Sequence, residues 1–341
     1  MRSWLVKALV QRGIGALPYR HYWNELLQQS VTRSLQLTTS RFEASLHNCR
    51  NHLEQRACFG GHAKGDDFSV FELGTGWFPT VAIALYLCGA REVWTWDIAA
   101  LLTRERLRHT ARRFLDGEHE RILQDHLQDV PDRLARLREV TALCEDPGGP
   151  EPGVLLERLG IHYRNGKASQ SGLPPHSIDL VLSDVVLEYL SPQQLAETLR
   201  EFRRIVAPDA VMSHTISLDD QYAAYDPRIT QFNFLRFSDW TWSLLNNPII
   251  PLNRLRVSDY RHAFGRSGFE IVEESSQRGD PAELARTPIA KRFREYAVED
   301  LLVTYSWLVA VPQRDAGTAR AEATGRRFNA PAVPLPRDKY P

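Results

Sequence analysis

Apolar and polar positions fall into two different periods along this chain. Residues 22–37 and 42–53 carry apolar side chains near helical spacing, with Gln, Arg and Glu between them, and residues 1–60 show no strand pattern. This predicts a helical cover ahead of a sheet, either shaping a ligand mouth or simply packing. From residue 68 the pattern shortens. Phe68, Val70, Phe71 and Leu73 form an apolar run, a helix-like run follows over 80–87, and Val93-Trp94-Thr95-Trp96-Asp97 reads as a second strand. Residues 100–160 are charged and too long for one crossover. The spacing predicts inserted helices over 101–115, 119–127 and 131–143, with a break at Asp146-Pro147-Gly148-Gly149-Pro150. Further strands are predicted at 161–164, 177–184, 210–216, 269–272 and 301–311. A helix runs over 192–206, with Ser191 as N-cap and Pro192 in the first turn, and another over 258–266, capped by Ser258. Strand and helix alternate, then two strands come late. That order predicts an α/β fold with a seven-stranded, mostly parallel sheet whose last strand is antiparallel.

The first apolar run ends in Glu72-Leu73-Gly74-Thr75-Gly76-Trp77-Phe78-Pro79. Strand, Gly-x-Gly turn and helix together open a nucleotide pocket, because glycine takes backbone angles other residues avoid and admits a ligand closely. A dinucleotide fingerprint needs a small residue three after Gly76, where this chain has Pro79. Glu72 would repel a pyrophosphate and attract a cation. Glu72-x-Gly74-x-Gly76 followed by Asp97 resembles the class I S-adenosylmethionine-dependent methyltransferases, which have a Rossmann-like fold. The resemblance covers roughly residues 68–310. It implies that Glu72 anchors the turn and the cofactor's amino group, and that the turn, with Thr75 and Trp77, passes under the methionine part. It further implies that Asp97, with Ile98 beside it, takes the ribose hydroxyls. Lys167 stands where the family usually has an acid, so adenine contact falls to Ala168 and Ser169. Ser183 and Asp184, ending the fourth strand, face the sulfonium. Ala207-Pro208-Asp209-Ala210 replaces the family's Pro-Gly-Gly turn.

The 341 residues carry 42 acidic and 42 basic side chains, 43% hydrophobic residues and 25% charged ones. Zero net charge argues against a nucleic-acid binder, and the arginines at 104, 106, 108, 112 and 113 read as a solvated helix face. Cys49, Cys58, Cys88 and Cys144 form no C-x-x-C pair, so neither a disulfide framework nor a metal site is expected. The apolar start at residues 1–7 is cut by Lys7 and Arg12, and no uncharged stretch reaches the roughly 18 residues of a membrane helix. A cytoplasmic protein is expected, in three parts: a cover over 1–60, a methyltransferase domain over 61–312 with insertions at 100–160 and 219–257, and a disordered tail over 313–341.

Methyl transfer needs alignment first and a base only where the acceptor must lose a proton. His214, expected at the mouth of the fifth strand, is the first candidate base; its alternative is to bind backbone or orient substrate. Asp184 and Glu188 are the other catalytic candidates. Residues 219–257 are rich in aromatics and predict a substrate lid, with Asp219, Tyr222, Asn233, Arg236 and Arg254 as its contacts and its arginines able to clamp an anion. Ser183-Asp184-Val185-Val186 stands where macromolecule-directed enzymes carry Asn-Pro-Pro-Tyr, so a small-molecule acceptor methylated on oxygen or nitrogen is expected. Two rivals stand beside this reading: a nicotinamide-dependent oxidoreductase on the same fold, and a scaffold that has lost catalysis.

Overall fold

The computed structural model describes residues 4, 5, 7, 8, 12, 13, 36–60, 67–146, 148–224, 226–246 and 251–313. The expected helix over 22–37 lies outside these apart from residues 36 and 37, which are not helical; the expected tail, apart from residue 313, also lies outside them.

In chain order the elements are α1 (Thr39–Phe59), β1 (Phe68–Leu73), α2 (Thr80–Leu87), β2 (Ala90–Asp97), α3 (Arg104–Leu115), α4 (Glu120–Leu123), α5 (Val130–Leu143), α6 (Pro152–Glu157) and β3 (Ile161–Asn165). There follow β4 (Ile178–Asp184), α7 (Pro192–Ile205), β5 (Val206–Ser217), α8 (Asp239–Leu245), α9 (Val257–Arg266), β6 (Phe269–Arg278), α10 (Pro281–Arg286), α11 (Val298–Leu301) and β7 (Val303–Pro312). The seven strands form one sheet in the order β3-β2-β1-β4-β5-β7-β6. The first five in that order pair in parallel, and β7 runs antiparallel to both β5 and β6. The strand order reverses between β1 and β4, the place where an open α/β sheet holds its ligand.

Helices cover both faces. On one, α1 and α2 pack Phe42, Leu46, Cys49, Ile83 and Leu87 against Val70, Leu180, Leu182 and Val211. On the other, α7 and α9 pack Leu199, Phe202, Tyr260 and Phe264 against Phe71, Val181, Met212 and Leu308. Every residue of β1 and of α2 is buried, as expected of a central parallel strand and the short helix laid on it. Each fully buried large apolar side chain contributes about 1.5–3 kcal/mol.

The element boundaries differ from expectation where tertiary contacts decide them. The helix expected over 119–127 shrinks to the single turn α4, while β5 and β6 extend well beyond their apolar cores along their neighbours. α2 keeps its expected span, with Pro79 just before it. α9 starts at Val257: Asp259 accepts the Arg256 N–H at 2.8 Å, and the Ser258 hydroxyl instead donates to Asp300. α7 starts as expected: Ser191 Oγ accepts the Gln194 N–H and the Gln194 side chain accepts the Ser191 N–H, a reciprocal capping box. Ser191→Ala should therefore lower unfolding free energy by about 1 kcal/mol in urea titration, with an unchanged m-value; no change would remove the cap from the helix's stability.

Candidate functional site

Successive side chains of a strand point to opposite faces of the sheet. Val70, Leu182, Val211 and Val309 face α1, so two-residue steps place Glu72, Asp184, Ser213, Thr215 and Trp307 on that face too. Phe71, Val181, Met212 and Leu308 face α7 and α9, and Ser183 and His214 go with them. The crevice beyond the strand ends is built from the first set.

Its glycine end is braced by backbone and by Asp97. The Gly74 N–H donates to the Trp96 carbonyl at 2.7 Å. Asp97 Oδ2 accepts the Gly76 N–H at 2.9 Å and Oδ1 accepts the Ala99 N–H at 3.1 Å. Both glycines have positive φ, 93° at Gly74 and 64° at Gly76. A Cβ on Gly76 would meet nothing within 4 Å, whereas one on Gly74 would come to 2.4 Å from Val186 Cγ2. The turn is thus pressed against the loop after β4 on one side and open on the other. Beside it Ile98 is 70% exposed. The Arg106 guanidinium lies 4.5 Å from the centre of the Trp77 ring, and Ala168 and Ser169 share one short turn after β3.

Glu72 is the buried acid of this end. The Thr95 hydroxyl donates to Glu72 Oε2 at 2.6 Å and pairs with Thr75 Oγ1 at 2.5 Å. Burial pushes the Glu72 carboxyl up to about 8; the Thr95 hydrogen bond opposes this and the carboxylates of Asp184 and Asp97 add to it. A cationic group beside Glu72 would relieve that pressure.

The other end centres on Asp184. Three donors converge on its Oδ1: Asn48 Nδ2 at 3.0 Å, His52 Nε2 at 3.3 Å and Thr215 Oγ1 at 3.0 Å. His52 is fully buried, packs at a tilt of 48° against Trp307 with ring centres 4.7 Å apart, and has Nδ1 2.7 Å from Ser213 Oγ. Trp307 Nε1, which can only donate, reaches the same Ser213 Oγ at 2.9 Å. For a neutral imidazole the network assigns the protons: Ser213 donates to His52 Nδ1, and His52 Nε2–H donates to Asp184. Val185, next in the chain, has φ of 55°, a strained backbone for a β-branched residue.

Several sequence-based assignments change. His214 is not at the mouth. It is wholly buried between Phe202 and Phe264, with Nδ1 2.8 Å from Ser183 Oγ, and burial pushes its imidazole down to about 3. A base for the crevice it is not, and Ser183 is its partner beneath the sheet. Glu188 is buried and accepts the Ser217 N–H at 3.2 Å, fastening the loop after β4 to β5. The lid contacts are mostly internal. Asn233 donates to Asp220 at 2.8 Å, the Ser217 hydroxyl donates to Asp219, and the Tyr222 hydroxyl donates to the Leu245 carbonyl at 3.2 Å. Arg254, also buried, donates to the carbonyls of Phe234 and Phe237 and to Asp239, so no clamp for an anion comes from it. Arg236 is exposed over Phe237. The aromatics of the insertion mostly make a third core: Tyr222, Phe232, Phe234 and Trp242 pack with Trp4 and Phe293. Asn48, His52, Ser213, Thr215 and Trp307 were not anticipated. The two-residue step along β4 and β5 could have found Ser213 and Thr215, and Asn48 and His52 are one helical turn apart.

The buried His214 has a consequence in pH. Unfolded, it protonates near 6.5; folded, near 3. Between these values the unfolded chain holds the extra proton, so this group's stabilisation is complete above 6.5 and is lost as pH falls toward 3. Unfolding free energy should drop by roughly 1 kcal/mol per pH unit in that window. The double substitution Ser183→Ala with His214→Phe should flatten this slope in acid-dependent urea melts, and an unchanged slope would assign it to other groups.

Comparison with known proteins adds the following. A family model described as a methyltransferase domain matches residues 136–213, a stretch that holds Asp184 and Ser213 and excludes the glycine turn. None of the curated proteins matches the chain. Among solved structures, a putative methyltransferase from Bacillus halodurans is 13% identical with a TM-score of 0.41, over 78% of this chain and 100% of that one. The geranyl diphosphate C-methyltransferase of Streptomyces coelicolor is 12% identical at a TM-score of 0.42, over 77% and 80%. A putative methyltransferase in complex with its activator from Haloferax volcanii is 15% identical at 0.43, over 84% and 96%. Residues 136–213 thus match a methyltransferase domain, and the seven-stranded sheet has the mostly parallel order of a Rossmann-like fold.

Proposed function

We propose that this protein transfers the methyl group of S-adenosylmethionine to an oxygen or nitrogen of a small molecule. The observation that carries the reading is Glu72, a buried carboxylate two residues before an open glycine turn, held where a cation would stabilise its charge. In this reading Glu72 receives the cofactor's ammonium group. Asp97, which braces the open turn through the Gly76 and Ala99 N–H groups, takes the ribose hydroxyls. Thr75 and Trp77 line the turn, Ile98 offers an apolar surface to the base, and Ala168 and Ser169 border the same end. A nicotinamide dinucleotide would set its pyrophosphate against the Glu72 carboxylate, which disfavours the oxidoreductase.

S-adenosylmethionine, held by Glu72, the Gly74–Gly76 turn and Asp97, would supply an electrophilic methyl group to the acceptor's lone pair, with S-adenosylhomocysteine released and the acceptor's proton passed to water. The chain's part is alignment and exclusion of water. Asp184 stands at the acceptor end, and Glu188 fixes the loop that carries it. The cover over residues 1–60 and the insertion over 219–257 frame the acceptor in the same proposal. Among the described residues no group of His, Cys, Asp and Glu is arranged to hold a metal ion, and no helix is long and apolar enough to cross a membrane. A cytoplasmic setting and a small-molecule partner, with no nucleic acid, belong to this reading, in keeping with zero net charge.

Calorimetric titration with S-adenosylhomocysteine, with NAD as control, tests it. Wild type should bind the first and not the second. Glu72→Ala and Asp97→Ala should each weaken binding by about 1.5–3 kcal/mol, roughly 10- to 150-fold. Affinity unchanged in both variants would sink the site, and binding of NAD alone would sink the function.

A further inference from the structure

Asp184 has two carboxylate oxygens with unlike surroundings. Oδ1 accepts from Asn48, His52 and Thr215. Among the described residues no donor reaches Oδ2. The Asp184 side chain is 23% exposed, while the His52 side chain is wholly buried. Three donors from two elements, α1 and β5, fix the plane of the carboxylate, and the oxygen they leave is the one that meets the crevice. The buried cations of the insertion do not answer it. Arg254 is committed to Asp239 and the carbonyls of Phe234 and Phe237, and Arg256 to the carbonyls of Leu218 and Val303.

We propose that Asp184 Oδ2 is the acceptor-binding group and that the acceptor is an amine, which donates an N–H to it. Asn48 and His52 of α1 are positioning residues: they hold Oδ1 so that Oδ2 points at the ligand. The inference rests on the methyltransferase reading, in which Glu72 serves the cofactor's ammonium and Asp184 is left for the second substrate. It opposes the anionic acceptor that the arginine content of the insertion suggests. An ammonium or amine gains a charge-assisted hydrogen bond at Oδ2, a neutral alcohol gains less, and a carboxylate is repelled. The requirement on His52 is specific. It must present a donor to Asp184, and its packing against Trp307 alone does not meet that requirement.

The test is an NMR titration of the S-adenosylhomocysteine complex with a series of primary amines from methylamine to benzylamine, each against its matching alcohol and carboxylate. Wild type should bind amines in preference to both partners. Asp184→Asn should weaken amine binding by about tenfold or more and leave S-adenosylhomocysteine affinity within about threefold, as expected for one charge-assisted hydrogen bond to the acceptor alone. His52→Gln, which keeps a donor, should retain amine binding, and His52→Leu, which keeps apolar bulk, should lose it, with both folded and both binding S-adenosylhomocysteine. Asn48→Ala should show a smaller loss. Equal binding of amine and alcohol by wild type would overturn the acceptor class. Loss of S-adenosylhomocysteine affinity in Asp184→Asn would make Asp184 a cofactor contact and overturn the proposal. Equal behaviour of His52→Gln and His52→Leu would overturn the positioning role. If wild type binds no S-adenosylhomocysteine, the methyltransferase reading itself fails.

Discussion

The two-residue alternation of the central strands is the constraint on which this site depends. Parallel pairing of β4 with β5 sets Asp184 opposite Thr215 and Ser183 opposite His214. That register fixes which polar groups meet the crevice and which are sealed under α7 and α9. A slip of one residue would exchange His214 for Thr215 and turn Asp184 into the apolar layer. Such a slip is strongly opposed, because it would also drive Leu180, Leu182 and Val211 out of the α1 layer that buries them. The apolar residues of the sheet therefore specify the chemistry at its edge.

α1 is joined to the sheet by two kinds of contact that support one another. Phe42, Leu46 and Cys49 give it apolar area in the main core. Asn48 and His52 give it direction, since hydrogen bonds to Asp184 and Ser213 are met in one rotation of the helix. Each member of the Trp307–Ser213–His52–Asp184 chain has its partner, which is the condition under which a buried polar network adds rigidity.

Much of the architecture was legible in the sequence, for identifiable reasons. β1 and β4 are short continuous apolar runs between turn signals, and Ser191 followed by Pro192 announces α7, so these elements emerged close to their observed ends. The turn after β1 was legible because its backbone needs glycine at fixed steps, and both glycines do take positive φ. The surroundings of Asp184 were not. His52 and Asn48 lie well over a hundred residues from Asp184, and nothing local to either segment reports the contact. His214 misled because a histidine near a strand end suits a base, while its face, set by parity with Met212 and Leu308's layer, decides otherwise. The arginines of the insertion misled for a related reason: charge in a sequence does not say whether carbonyls of the same segment will absorb it, as Phe234 and Phe237 do for Arg254.

The closeness of Gly74 to Val186 has a mechanical meaning. The space a Cβ would need at Gly74 is already filled by a Val186 methyl. The glycine turn and the loop after β4 therefore bear on one another like two parts ground to the same surface, and Val185, held at positive φ, stiffens one of them. Neither loop can swing toward the other. A side chain larger than hydrogen at Gly74 would have to displace Val186, so the glycine turn and the loop after β4 share one packing surface.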